Sequence, residues 1–341
     1  MRTTNWAKGA VMALAIAMAG VSAHAGTLED VQSAGVLKCG INTGLAGFAY
    51  TDDMGTWTGF DVAYCRAVAA AVLGDPDAIE FVVLTGKTRF PALQAGEIDV
   101  LARNTTWTLS RDVDLGLTFV GVNYYDGQGF IGRKALGVMS ATELDGASVC
   151  IQTGTTTELN LADFFRTNNM EYEPVPIETN AEARAAYEAD RCDVYTTDAS
   201  GLAATKATFD DPDAHIVYPE VISKEPLGPL VRHGDDQWAD IARWVLNALI
   251  IAEELGVTQG NVERLAGGTD HPEINRMLGS EGSYGEMLGL ASDWAVHAIK
   301  AEGNYAEIFD RYIGPDTRLG LQRGLNALYK DGGILYAPPF R

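Results

Sequence analysis

The run Arg103-Asn104-Thr105-Thr106-Trp107-Thr108-Leu109-Ser110-Arg111 gathers hydroxyl, amide and guanidinium groups into one short segment. It follows Ile98 to Ala102, an apolar stretch interrupted only by Asp99, which reads as a buried strand. Polar groups therefore cluster where a strand ends. A planar guanidinium grips a carboxylate through two parallel N–H bonds, and nearby hydroxyl and main-chain donors satisfy the remaining lone pairs. Far along the chain, Tyr195-Thr196-Thr197-Asp198 closes a second short strand with a carboxylate suited to an ammonium group. A free amino acid carries one group of each kind. The spacing thus predicts a cationic pole at Arg111 and an anionic pole at Asp198, lent by separate parts of the chain.

Each of these side chains also has an ordinary use. Arg111 could serve in a surface or interlobe ion pair. Asp198 precedes a helix expected over Ala199 to Ala207 and could simply cap it. Thr155 and Thr156 could be plain helix-start residues. Arg89 opens a short helix, where its charge opposes the dipole, and that placement favours a functional role. Trp57, Trp107, Trp238 and Trp244 are read as packing residues, because large aromatics dominate cores.

The elements that must position these groups alternate between strand and helix patterns. Val36 to Ile41 reads as a strand, Phe60 to Leu73 as a helix, Ile79 to Leu84 as a strand, Arg89 to Ala95 as a short helix and Ile98 to Ala102 as a strand. That alternation predicts a parallel sheet wrapped by helices. The pattern restarts with strands at Gly129 to Gly132 and Ser148 to Ile151, then a helix over Thr156 to Asn168. Tyr172 to Ile177 reads as extended, Ala181 to Ala189 as helix, Asp193 to Thr196 as strand. Between the two units lies Asn123 to Gly129, and after the second comes Ile222 to Pro229, both rich in turn formers. The chain is expected to cross into a second lobe and return, so that the two linkers serve as hinges. Asp235 to Leu255 reads as a long amphipathic helix, followed by further helices and a tail, Tyr336 to Phe340, that cannot be helical and is expected to pack on the first lobe.

At the N-terminus, Arg2 and Lys8 precede an apolar core, Ala10 to Val21, and Ala23-His24-Ala25 fits a cleavage site. Residues 1–25 are therefore read as a secretory signal peptide, too short and wrongly flanked for a membrane span. The formal charge of −21 argues against nucleic-acid binding, which needs basic patches. The four cysteines suit an oxidising compartment. Of the three pairings four cysteines allow, Cys39–Cys65 and Cys150–Cys192 put one staple in each lobe. Each is worth roughly 3–4 kcal/mol in the chain-entropy picture. No C-x2-C or comparable Cys/His spacing suggests a metal. No cofactor is expected.

Several motifs together resemble a known family. Leu37 to Gly40, Gly59 to Val62, Arg89 to Val100, Thr106 to Arg111 and Gly154 to Thr156 are similar to the solute-binding proteins of polar amino-acid ABC transporters, family 3. With Thr153 to Leu161, Ser223 to Pro229 and the end at Arg341, the resemblance extends to the periplasmic general L-amino-acid binding proteins. Each motif alone is weak; their order and spacing are specific.

The resemblance implies a two-lobed α/β periplasmic-binding-protein fold of type II, with two hinge strands and extra C-terminal helices. Lobe 1 would span 26–123 and 226–341, and lobe 2 would span 124–225. The protein would be a periplasmic monomer that captures an L-amino acid by hinge closure and delivers it to the transporter's permease. Arg111 would hold the α-carboxylate, helped by Thr106 and the backbone around Asn104. Thr155 or Thr156 would add donors at a helix start, and Asp198 would accept from the α-ammonium. Arg89 would reach a distal carboxylate, while Asn42 and Gln152 would line the side-chain end. Where many relatives clamp the ligand between two aromatics, this chain has Leu45 and the neighbourhood of Gly86. A less tailored pocket suits a broad specificity, with Asp, Glu, Asn and Gln favoured if Arg89 faces the cleft.

Two other classes remain as rivals. An enzyme on the same scaffold would need an acid and base over one reacting carbon, yet His215, His233, His271 and His297 lie outside the candidate segments. A sensory or adaptor domain would signal through a receptor.

Overall fold

The computed structural model describes residues 26–341. The segment read from the sequence as a signal peptide, residues 1–25, lies outside the described residues. Two five-stranded sheets organise the chain. In the first, Ile79–Val83, Leu37–Ile41 and Val100–Leu101 run parallel. Leu230–Arg232 lies next, antiparallel to both Val100–Leu101 and Leu117–Phe119. In the second sheet, Tyr172–Ile177, Ala147–Gln152 and Val194–Asp198 are parallel, and Gln128–Arg133 and His215–Val217 complete it. Gln128–Arg133 runs antiparallel to both of its neighbours.

Both sheets are thus mixed rather than parallel as expected. The reason is topological: Gln128–Arg133 arrives from the first lobe, and Leu230–Arg232 returns to it, each running against the local βαβ direction. Between the lobes, Tyr124–Asp126 pairs antiparallel with Glu225–Leu227, so the two linkers form one two-stranded ribbon. The strand expected over Ile98 to Ala102 shrinks to Val100–Leu101. Asp99 starts it differently, accepting the Lys38 N–H on its carboxylate and donating its own N–H to Lys38.

Side chains alternate across each sheet as the pleat requires. In the second lobe, Ile131, Cys150 and Tyr195 pack on one face, while Phe130, Val149, Ile151 and Val194 pack on the other. The helix Phe60–Leu73 is buried nearly all round, because the sheet lies on one side and the C-terminal helix Trp294–Glu302 on the other. Cys39 on the first strand is bonded to Cys65 on this helix, and Cys150 to Cys192, which gives each lobe its own staple.

The long helix Asp236–Glu254 begins with the Asp235 carboxylate accepting the Trp238 N–H. Beyond it come Val262–Ala266, Pro272–Met277, Tyr284–Leu288, Trp294–Glu302 and Tyr305–Tyr312. The tail packs on the first lobe, as its apolar end requires. Phe340 is buried against Trp244, Tyr284 and Trp294.

Candidate functional site

The strands Leu37–Ile41 and Val100–Leu101 of the first lobe and Ala147–Gln152 and Val194–Asp198 of the second all end at the seam between lobes. Loops leaving parallel strands on one edge leave main-chain donors and polar side chains pointing into a common crevice. There Arg111 sits on the short helix Leu109–Val113, whose first turn is fixed by Thr108 accepting the Arg111 N–H. Its Nη1 donates to the Thr106 carbonyl at 2.9 Å, and its guanidinium lies 5.1 Å from the centre of the Phe90 ring. Arg89 approaches the same ring at 4.7 Å. From there it donates to Thr105 Oγ1 at 3.0 Å and across the seam to the Gly154 carbonyl at 3.5 Å, while its Nε has no partner. Arg103 donates from Nε to the Leu84 carbonyl at 2.8 Å and leaves one terminal nitrogen unpartnered.

All three arginines are buried. None is in ion-pair contact with a carboxylate among the described residues. Burial, then repulsion from Arg103 and Arg111, pulls Arg89 well below the usual arginine range. Burial likewise brings Arg103 and Arg111 down to about 10. Crowded buried cations of this kind are relieved by an anion.

Across the seam, Asp198 stands at the N-cap position of Ala199–Lys206, yet its side chain makes no capping bond. Its carboxyl is pushed well up, first by burial, then by Asp126 and Glu225, with Arg89 and the Asn104 side chain opposing. Asp126 is raised to about 6, mainly by burial. Buried acids crowded together are relieved by a cation. The crevice therefore offers a cationic side on the first lobe and an anionic side on the second.

The other expected residues fall in or beside this crevice. Asn104 adopts a left-handed backbone, φ 32°, a conformation asparagine tolerates. Its N–H donates to Asp61 Oδ2 at 2.9 Å, and its side-chain oxygen accepts from Asn42 at 2.9 Å. Burial raises Asp61 to about 6 against the Asn104 N–H bond, a bond from the Asn123 side chain and the charge of Arg103. Gln152 is buried and donates to the Glu178 carbonyl. Thr155 begins the helix Thr156–Thr167 but donates its hydroxyl to the Gln152 carbonyl at 2.7 Å. Thr106 and Thr156 both donate to Glu225 Oε2, at 2.5 and 2.9 Å. A hydroxyl has one proton to give, so neither threonine side chain is at present aimed as a donor toward a ligand.

Glu225 and Phe90 were not singled out from the sequence. Glu225 lay in a linker read only for its turn formers. Phe90 neighbours Arg89, and its adjacency in a short helix was the available signal; it supplies an aromatic ring where Leu45 and Gly86 supply none. Gly86 instead meets the second lobe so closely that a Cβ there would lie 2.6 Å from the Thr153 carbonyl oxygen. Gln128, fully buried beside Asp198's strand with an unpartnered Oε1, was also unforeseen.

Residues 37–261 match the model of the bacterial extracellular solute-binding proteins, family 3. The chain belongs to this family. It is 58% identical to the glutamate/glutamine/aspartate/asparagine-binding protein of Rhodobacter capsulatus, covering 97% of each chain. It is 56% identical to the general L-amino acid-binding periplasmic protein of Rhizobium johnstonii, covering 97% of this chain and 98% of that one. Among solved structures, a periplasmic binding protein from Brucella ovis with glutathione bound is 55% identical and superposes with a TM-score of 0.90, over 93% of this chain and all of the other. The two-lobed fold is thus that of a family 3 solute-binding protein, and the crevice between its lobes is the place where this architecture can enclose a solute.

Proposed function

We propose that this protein is the amino-acid receptor of an ABC importer, working in the periplasm after its N-terminal signal segment is removed and handing its ligand to the membrane permease. The observation that carries this reading is the set of buried guanidiniums, Arg89, Arg103 and Arg111, without a carboxylate in contact, facing Asp198 across the seam. Arg111 holds the ligand's α-carboxylate. Main-chain N–H groups at the start of Thr156–Thr167, which lack intrahelical partners, add to it. Asp198 takes the α-ammonium. Arg89, with its free Nε, takes a distal carboxylate or amide oxygen, which favours Glu, Asp, Gln and Asn. Asn42 and Gln152 flank that end.

The division into lobe 1 (26–123 and 226–341) and lobe 2 (124–225) belongs to the same reading, and the ribbon of Tyr124–Asp126 with Glu225–Leu227 supports it. Closing on ligand requires differential affinity for the shut form, about 5.5 kcal/mol to turn a mostly open population mostly closed. Charge-assisted hydrogen bonds at both poles, roughly 1.5–3 kcal/mol each, supply that.

The protein acts as a receptor and not as a catalyst, and as a monomer. In support, two of the four described imidazoles are engaged elsewhere: His215 with the Tyr187 hydroxyl and His297 with Asp293. A second reading has one specific support, the glutathione seen in the Brucella ovis relative: the site also accepts glutamate in γ-amide linkage.

A thermal-shift screen of the twenty L-amino acids with glutathione tests both, since a ligand of the native state raises the melting point. Glu, Gln, Asp and Asn are expected to shift it. A flat response to all four would overturn the proposal, and a flat response to glutathione alone would remove the second reading.

A further inference from the structure

The family match ends at residue 261, yet the chain beyond it returns to the hinge. The Tyr125 N–H donates to Asn326 Oδ1 at 2.6 Å, and Asn326 Nδ2 donates back to the Tyr125 carbonyl at 3.1 Å. One side-chain amide thus reproduces both bonds that a neighbouring strand would make to that residue. The Tyr305 hydroxyl donates to the Asn123 carbonyl at 2.7 Å, and Phe309 stacks on Tyr124 at 6.3 Å with ring planes 9° apart. Asn326 is itself buried and held in place. Arg323 donates to its carbonyl at 2.9 Å, reaches both Glu253 carboxylate oxygens at 2.9 Å, and lies over the Tyr305 and Phe309 rings.

The opposite edge of the ribbon is fastened as well. Tyr125 faces Pro226, which has no N–H to donate. The Pro226 carbonyl instead accepts the Trp107 N–H at 2.8 Å, and the Gly228 N–H donates to the Thr105 carbonyl. Both partners of the ribbon's edges, Asn326 and Trp107, belong to the body of the first lobe. A two-stranded ribbon alone is marginally stable and would flex along its length. With both edges occupied, bending is left to the residues next to the second lobe.

We infer that the C-terminal extension is a hinge brace, and that Asn326 is a positioning residue for ligand capture. It ties Tyr124–Asp126 to the first lobe, so that the pivot is confined to Gly127–Gln128 and Ser223–Lys224. Closure then becomes a rotation about one defined axis, and the two poles of the site meet in a single register. Without the brace the ribbon bends over more residues, the shut form is less sharply selected, and bound ligand escapes faster.

The bracing half of this inference stands apart from the proposed function; the escape half rests on it. The test compares wild type with Asn326→Ala, Asn326→Asp and the control Tyr329→Phe. The control removes a hydroxyl bond from the same extension to Glu254, away from the hinge. Amide exchange at Tyr125 is read in protein without ligand. Dissociation is read by stopped-flow fluorescence with L-glutamate or L-glutamine, whichever binds wild type more tightly.

In Asn326→Ala, Tyr125 exchange and dissociation should each accelerate about tenfold, the scale of two lost hydrogen bonds, with the association rate little changed. Asn326→Asp keeps the acceptor for the Tyr125 N–H and should lie between the two; it decides the matter if the alanine variant does not fold. Tyr329→Phe should match wild type. Unchanged exchange at Tyr125 overturns the brace. Faster exchange with unchanged dissociation overturns its role in capture, and equal effects from Tyr329→Phe reduce it to general loosening of the extension. If wild type binds no amino acid, the proposed function falls while the exchange measurement still decides the brace.

Discussion

Thr106 of the first lobe donates its hydroxyl proton to Glu225 on the returning hinge strand, at 2.5 Å. The same carboxylate accepts from Thr156 at 2.9 Å, Asn160 at 2.7 Å and Ser223 at 2.6 Å. One buried acid therefore gathers donors from both lobes and the hinge. Glu225→Ala leaves four donors without their acceptor in a dry site, and unsatisfied buried groups cost about 1–3 kcal/mol each before relaxation. We expect a loss of about 2–4 kcal/mol in urea unfolding, with Glu225→Gln retaining part of it. An unchanged midpoint for the alanine variant would mean that this carboxylate joins nothing.

Burial and the neighbouring Asp126 and Glu225 all resist ionisation of Asp198. Asp198→Asn removes that charge at nearly constant shape. The variant should melt higher than wild type without ligand, yet bind glutamate at least about a hundredfold more weakly, the scale of a lost buried charge pair. Arg111→Ala should weaken binding as much without the gain in melting point. Calorimetric titration beside a melting curve checks both, and a variant that lost stability together with affinity would count against the ammonium role of Asp198.

The order of elements and the two disulfides were legible because strand and helix periods differ and each staple falls within one lobe. The direction of two strands, Gln128–Arg133 and Leu230–Arg232, was not, since antiparallel neighbours arise from where the chain crosses, which no local pattern encodes. The two poles proposed for the site rest on Arg111 and Asp198, residues with chemistry at strand ends that the fold buries within reach of one another's charge. Glu225 was hidden, because a carboxylate in a turn-rich linker looks solvated until the fold buries it. Asn326 was hidden for a similar reason: its partner is a main-chain peptide some two hundred residues away, and no side-chain pattern marks such a pairing.

On the proposed reading, Arg89 should separate acidic from neutral ligands. Its guanidinium is buried over Phe90 with Nε unpartnered, so a distal carboxylate gains a charge-assisted bond that an amide gains only in part. Arg89→Gln should weaken glutamate binding by about tenfold or more relative to its effect on glutamine. Equal losses for both ligands would assign Arg89 to holding the seam through its bond to Gly154 instead.

The acids of the crevice give binding a defined pH response. Burial raises Asp61 and Asp126 to about 6, and burial with the neighbouring Asp126 and Glu225 raises Asp198 well above the usual carboxylate range. Their folded values lie above their unfolded ones, so the folded protein holds more protons across the interval between. For these groups stability of the empty protein rises as pH falls from 7 toward 5. Each shifted unit corresponds to about 1.4 kcal/mol. On the proposed reading, bound ammonium favours the ionised form of Asp198 and its neighbour Asp126, so ligand should expel protons when it binds near pH 6. Affinity for glutamate should therefore fall as pH drops through 6, while the ligand's own α-ammonium stays charged throughout. Titrations at pH 6 in two buffers of different ionisation enthalpy should report proton release. Proton uptake, or affinity constant between pH 7 and 5, would place the ammonium away from this cluster of acids.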